Sequence, residues 1–367
     1  MNRLESPPAS RKGLRTGFTT GACAAAATKA ALQALLLRLP PEQVTVHLPA
    51  GCDATFRPED WVVSERETSC GIIKDAGDDP DVTHGALIRA AVAWRDEPGW
   101  DLRGGEGVGT VTRPGLGLEI GRPAINPVPR RMITAVVQDL VGPELDRHGL
   151  IVTISVRDGE RLAKKTLNGR LGIIRGLSIL GTSGIVRPYS TAAWRASVVQ
   201  AVDVAAAGGC REVVLSTGGT TERFAMAVRK DLPEIAFVEM GIFTGAALKA
   251  CAKVEIERAI LSGQIGKFSK IAQGFMQTHA AGNRVDTRFL AELAAQHGVT
   301  CSLREAIVAA NTARHVGELI TSARATSVFE GLCEAVVKQC RAYVQNRLEL
   351  GAILFDFDGT VLAKLPA

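Results

Sequence analysis

Four carboxylates and one imidazole fall within ten residues in the run Asp75-Ala76-Gly77-Asp78-Asp79-Pro80-Asp81-Val82-Thr83-His84. Crowded carboxylates repel one another, so one of them keeps its proton to higher pH, and an imidazole titrates near neutrality. Asp78, Asp79 and His84 therefore read as acid–base candidates, with Lys74, Asp75 and Asp81 beside them. The spacing is not that of an EF-hand, which needs Gly where His84 stands and Glu where Ala90 stands. The plain alternative is a solvated Asp-rich turn capping the element that follows.

A second constellation pairs Ser216-Thr217-Gly218-Gly219 with Glu239, about twenty residues on. In nucleotide-binding α/β folds, such a turn lets a ligand lie against bare backbone while the carboxylate accepts hydrogen bonds from ribose hydroxyls. The full glycine fingerprint is absent, so nucleoside binding by Thr217, Gly218, Gly219 and Glu239 stands beside a plain strand–helix turn. The run GQIGK, Gly263 to Lys267, is no P-loop: Phe268 stands where Ser or Thr is required. A helix start there would still turn backbone N–H groups toward an anion. His279, after Gln277-Thr278, sits at an expected helix end, where a structural histidine and a catalytic one look alike.

These residues need elements to hold them. Thr19 or Thr20 should cap a helix that runs through the Ala-rich segment to about Arg38, where Pro40 and Pro41 stop it. Val44 to Leu48, Trp61 to Glu67 and Ile151 to Val156 read as strands, and His84 to Trp94 as a short helix. Seven glycines between Gly104 and Gly121 point to turns and close backbone approaches. After Ser190 the texture changes to helix alternating with strand: helices at Ala192–Ala207, Thr221–Lys230 and Gly245–Lys253, strands at Glu212–Ser216 and Ile235–Val238. Helices over Lys267–Gln277, Arg288–Gln296, Leu303–Leu319 and Val328–Leu348 then precede a last strand, Ala352–Phe357. The expectation is an α/β and α+β chain of two domains. Residues 1–187 form an amino-terminal α+β domain, and residues 188–367 a Rossmann-like doubly wound domain.

A length of 367 residues with 46% apolar content supports two cores of ordinary size and excludes disordered and collagen-like classes. The net charge of +5 is too small to argue for nucleic acid. Eight scattered cysteines form no C-x-x-C pair and no zinc spacing, which fits small core residues in a reducing cytoplasm and no resident metal. Lys29 and Gln33 interrupt the apolar run from Ala22 to Leu37, so neither export nor a membrane span is expected.

The carboxyl-terminal DFDGT, Asp356 to Thr360, resembles the nucleophile motif of haloacid-dehalogenase-type phosphatases, but only seven residues follow it, too few for that fold. It reads instead as a hydrophobic edge strand ending in an Asp-Gly turn. The stronger resemblance runs along most of the chain. RTGFTTGACAAAA (Arg15 to Ala27), IIKDAGDDPDVTHG (Ile72 to Gly85), the glycine- and proline-rich run Gly107 to Ile133, TLNGRLGIIRGLSILGTSGIV (Thr166 to Val186), STGGTTERFA (Ser216 to Ala225) and GKFSKIAQGFMQTHA (Gly266 to Ala280) resemble the CbiD-type cobalt-precorrin-5B C1-methyltransferases.

The resemblance implies S-adenosyl-L-methionine-dependent methylation of C1 of cobalt-precorrin-5B in anaerobic cobalamin synthesis, with the cobalt carried by the substrate. In that light Thr217, Gly218, Gly219 and Glu239 are expected to hold the methyl donor. Arg15, Thr16, Thr19, Thr20, Arg113, Asn126, Arg130 and Arg131 are expected to grip the ring's carboxylates, since arginine offers bidentate contacts. Lys74, Asp75, Asp81 and Lys267 join the substrate-facing set, and Asp78, Asp79, His84 and His279 are expected to manage ring protonation. No nucleic-acid or membrane partner is expected, and monomer and homodimer remain open.

Overall fold

The structure is a computed structural model that describes residues 3–4, 13–278 and 285–367. His279 lies outside the described residues. The chain divides into two compact units, Met1–Thr191 and Ala192–Ala367.

In the first unit, helix α1 (Thr20–Leu37) begins where the Thr19 side chain accepts the Ala22 N–H, and it ends at Arg38 in the left-handed region. Alanine makes this helix thin, and Ala22 to Ala27, Ala30, Ala31, Leu32 and Leu35 are all buried. α1 is long and apolar enough to cross a membrane by composition, yet 78% of it is buried inside the fold. It packs on β1 (Val44–Leu48), β4 (Glu67–Ile73), β5 (Leu87–Arg95) and α2 (Pro127–Val141). β1 pairs antiparallel with β2 (Cys52–Phe56). A five-stranded sheet carries the rest, in the order β3-β4-β5-β7-β6, where β3 is Glu59–Val63, β6 Gly99–Gly104 and β7 Gly149–Val156. All its pairings are antiparallel except β7 with β6.

The expected helix over His84–Trp94 is a turn followed by strand β5. Ala90, Ala91 and Ala93 favour a helix locally, but β5 is flanked by both β4 and β7. Ladder bonds on both edges and a buried face outweigh a propensity difference of about 0.5 kcal/mol per residue.

The second unit holds a sheet in the order β9-β8-β10-β11-β12, comprising Phe237–Glu239, Glu212–Ser216, Arg258–Gln264, Glu349–Phe355 and Val361–Leu365. The first four run parallel and β12 antiparallel. Side chains alternate between two layers. Val213, Leu215, Leu261, Ala352 and Leu354 face a large core shared with α3 (Thr191–Ala207), α5 (Thr244–Lys253), α6 (Ile265–Ala272), α7 (Thr287–Gln296), α8 (Cys301–Ala309), α9 (Ala313–Ser322) and α10 (Ser327–Tyr343). Val214, Ile260, Ile353 and Phe355 face Phe224 and Ala225 of α4 (Gly219–Val228).

Two expectations change here. The single helix over Leu303–Leu319 is two helices, because the Thr312 side chain accepts the His315 N–H and starts α9 afresh. The final expected strand is not an edge: β11 lies between β10 and β12, and DFDGT is the hairpin turn joining β11 to β12. Asp358 accepts the Thr360 N–H at 2.8 Å within that turn, and the Asp356 N–H meets the Thr360 carbonyl oxygen at 2.8 Å. A short run such as Val361–Leu365 gives little periodicity from which to read a strand.

Candidate functional site

The acidic loop joins β4 to β5 and is tied to the strand-like segment before α1. The Phe18 N–H donates to the Asp75 carbonyl oxygen at 2.7 Å, and the Asp78 N–H to that of Arg15 at 2.9 Å. A Cβ on Gly17 would stand 2.1 Å from the Ala76 carbonyl carbon, so only glycine allows the two segments to touch. Gly77, at φ 68°, adopts the left-handed region beneath Arg15.

Each carboxylate in the loop has its own partner. Asp75 pairs with the Arg15 guanidinium, which holds its carboxyl below the usual range. The Arg15 N–H donates to Asp78 at 2.6 Å, and the Tyr189 N–H to Asp79 at 2.8 Å. Asp81 accepts the Thr83 N–H and hydroxyl at 2.7 and 2.6 Å and faces the Lys74 ammonium at 2.7 Å. Burial alone pushes Asp81 up, but Lys74 and Thr83 outweigh it and hold the carboxyl below the ordinary range. The Lys74 side chain is 1% exposed, so this is a buried cation with one acidic partner among the described residues. His84 Nδ1 lies 3.1 Å from the Ala76 N–H, which it accepts, leaving the ring proton on Nε2.

His84 lines a cavity with Arg157 and Arg161. Arg130 lines another, with Arg122 and Asp101, and the two share no residue. Arg131 is exposed, and Arg113 donates to the Arg170 carbonyl oxygen at 3.1 Å. Asn126 precedes α2 without a side-chain capping bond. Thr16, Thr19 and Thr20 are buried; the Thr20 hydroxyl accepts the Leu180 N–H at 2.9 Å.

In the second unit the strand order reverses between β8 and β10, the place where open α/β sheets leave a crevice beyond the carboxyl ends of the strands. A cavity of about 440 Å³ lies there. Thr217, Gly218, Gly219 and Lys267 line it, and sequence reasoning missed Gln264, Lys270, Thr278 and Phe357. Register puts Glu239 opposite Ser216 on the neighbouring strand, and a Cβ on Gly219 would stand 3.5 Å from its Oε2. Gly218 is extended, a conformation open to any residue, and a Cβ there would meet nothing nearer than the Lys267 Nζ at 3.8 Å. Its missing side chain therefore leaves backbone bare toward the cavity.

Helices α4 and α6 both start at this cavity, with their unpaired N–H groups. The Lys267 ammonium donates to the Thr217 carbonyl oxygen, and burial lowers its pKa, with Lys270 acting in the same direction and Glu239 against. Ser216 Oγ, Thr244 Oγ1 and Thr278 Oγ1 are buried with no hydrogen-bond partner among the described residues, and Thr278 lines the cavity. A buried hydroxyl left unpaired costs about 1–3 kcal/mol, so a polar ligand in the cavity has the Thr278 hydroxyl ready to receive it. Lys267, expected on the substrate side, thus shares a wall with the expected donor-binding residues. The buried thiols Cys23, Cys70, Cys251, Cys333 and Cys340 are pushed up to about 12 by desolvation, which makes them inert core groups.

The family model CbiD matches residues 8–188, and the model of the CbiD C-terminal domain matches residues 277–366. The Cobalt-precorrin-5B C(1)-methyltransferase of Geobacillus kaustophilus is 48% identical over 97% of this chain and 95% of its own length. That of Rubrobacter xylanophilus is 50% identical over 94% and 89%. A crystal structure of the cobalamin biosynthesis protein (cbiD) from Archaeoglobus fulgidus aligns at a TM-score of 0.39 with 30% identity, over 69% of this chain and 77% of that one. With both family models matched and near-half identity carried through almost its whole length, the chain belongs to the CbiD family.

Proposed function

We propose that this protein is a cytoplasmic enzyme that methylates C1 of cobalt-precorrin-5B to give cobalt-precorrin-6A, with S-adenosyl-L-methionine as donor. The observation that carries the reading is the identity of 48% over 97% of the chain to a relative of that name. S-adenosyl-L-methionine supplies a methyl group made electrophilic by its sulfonium.

In this reading the second unit is a Rossmann-like doubly wound donor-binding domain. The order of its four parallel strands, with β9 outside β8 and β10 on the other side, matches the first four of a flavodoxin-like sheet, whose ligands sit between the first and third strands, and supports this reading; β12 departs from it by running antiparallel. Gly218 and Gly219 offer bare backbone, Thr217 carries the Lys267 ammonium, and Glu239 takes the ribose hydroxyls. The unpaired Thr278 hydroxyl gives the fit a further polar group.

The first unit is the corrinoid-binding domain. Arg130 is the bidentate donor for the ring's carboxylates, while its neighbour Arg122 is paired with Glu119, and Arg157 and Arg161 of the other cavity are paired with Asp60 and Asp158. The His84 imidazole, its tautomer set by the Ala76 N–H, offers a hydrogen-bond donor at Nε2. Asp75, Asp78, Asp79 and Asp81 shape the loop that carries it. Methyl transfer to carbon is an in-line displacement, so the work of these residues is positioning and exclusion of water.

The deciding experiment is anaerobic turnover of cobalt-precorrin-5B with methyl-labelled donor. Label at C1 supports the reading; a protein that binds the ring and leaves the donor untouched is a corrinoid carrier instead.

A further inference from the structure

Lys270 stands out in the second unit's cavity. It is 8% exposed, it lines the cavity, and its ammonium has no hydrogen bond or ion pair among the described residues. A buried cation without a partner is costly, and proteins keep one chiefly where an anion completes it. The setting points the same way. Lys267 and Lys270 are the charged residues of the described lining, one helical turn apart, with no carboxylate among them. Helical side chains lean toward the N-terminus, which brings Lys270 back toward the first turn of α6 and its unpaired N–H groups. Lys267 is already engaged by the Thr217 carbonyl oxygen, so Lys270 is the free cation of the pair. Glu239, the nearby acid, lies across by Gly219 and acts on Lys267.

Such a wall takes an anionic group at the α6 side and a hydroxylated or cationic one at the Glu239 side. The donor has one anion, the carboxylate of its amino-acid tail. We propose that Lys270, with the first turn of α6, receives that carboxylate, and so fixes which end of the donor lies against α6. The proposal rests on the donor-site reading above and goes beyond it by orienting the ligand.

The test compares two ligands by calorimetric titration, S-adenosylhomocysteine with the tail and 5′-methylthioadenosine without its carboxylate. Lys270→Met keeps the stem and removes the charge. It should weaken S-adenosylhomocysteine about 10- to 100-fold, the worth of a charge-assisted hydrogen bond, and change 5′-methylthioadenosine less than about twofold. Lys270→Arg should recover most of the loss. Equal weakening of both ligands, or none for either, overturns the proposal, as does a loss confined to corrinoid binding, which would make the carboxylate the ring's. Gly218→Val keeps the two readings apart, because it fills the cavity at a position where the fold tolerates a side chain. If it abolishes S-adenosylhomocysteine binding while Lys270→Met does nothing, the tail assignment alone falls. If Gly218→Val leaves that binding intact, the donor site lies elsewhere and both fall.

Discussion

Lys74 and Asp81 form an ion pair at 2.7 Å in which the lysine is 1% exposed and the aspartate is already fixed by two bonds from Thr83. The acidic loop is thus built over a buried cation.

Asp81→Asn leaves that ammonium uncompensated. Breaking a buried pair from one side costs about 3–5 kcal/mol, whereas Lys74→Met, which removes the charge and keeps the bulk, should cost distinctly less. For a unit of this size the first change should lower Tm by roughly 6–20 °C. Thermal unfolding followed by circular dichroism ranks the two, and equal losses would show that packing and not charge dominates.

Acid should loosen this loop. Asp75 and Asp81 both titrate below the usual carboxylate range in the folded chain. On acidification the unfolded chain therefore takes up protons first, and stability falls with pH. Their contribution is complete above about pH 5 and fades as pH drops through the unfolded value near 4 and on to the folded values. Tm measured from pH 7 to pH 3 should decline more steeply for the native protein than for Asp75→Asn.

Thr19 and Thr20 have hydroxyls already engaged at the start of α1. Thr19→Ala should cost about 1 kcal/mol as a lost N-cap, and Thr20→Val about 1–3 kcal/mol by leaving the Leu180 N–H unpaired. Ring affinity unchanged at these costs would assign both to posing the helix; a matching loss of affinity would give them a second part as ligand contacts.

Glu239→Gln keeps the size of the side chain and removes its charge. S-adenosylhomocysteine should bind about 10-fold or more weakly if ribose hydroxyls donate to this carboxylate. Titration calorimetry reads the change directly, and unaltered affinity would release Glu239 from the donor site.

Local rules made much of this legible. Thr19 before an alanine run announced α1 to within a residue, and Val44–Leu48 and Glu212–Ser216 alternated or ran apolar as strands do. What escaped was set at long range. Ala90, Ala91 and Ala93 speak for helix until β4 and β7 are laid beside them. The same holds for the site: the turn at Gly218 and the acid at Glu239 were visible, since one follows a strand and the other ends one. Lys270, Thr278 and Phe357 enter only when α6, the segment after it and the final hairpin converge on one cavity.

The place of β11 between β10 and β12 has a bearing on how the protein is made. Gln264 and Phe355 are register partners separated by 91 residues of chain, so at about 5–20 residues per second a ribosome delivers the second roughly 5–18 s after the first. Throughout that wait β10 has one lateral edge open, with the N–H and C=O groups that β11 will pair left without their partners. The sheet of the second unit is therefore completed only when its last strands emerge, whereas the first unit, residues 1–191, has its whole sequence available much earlier.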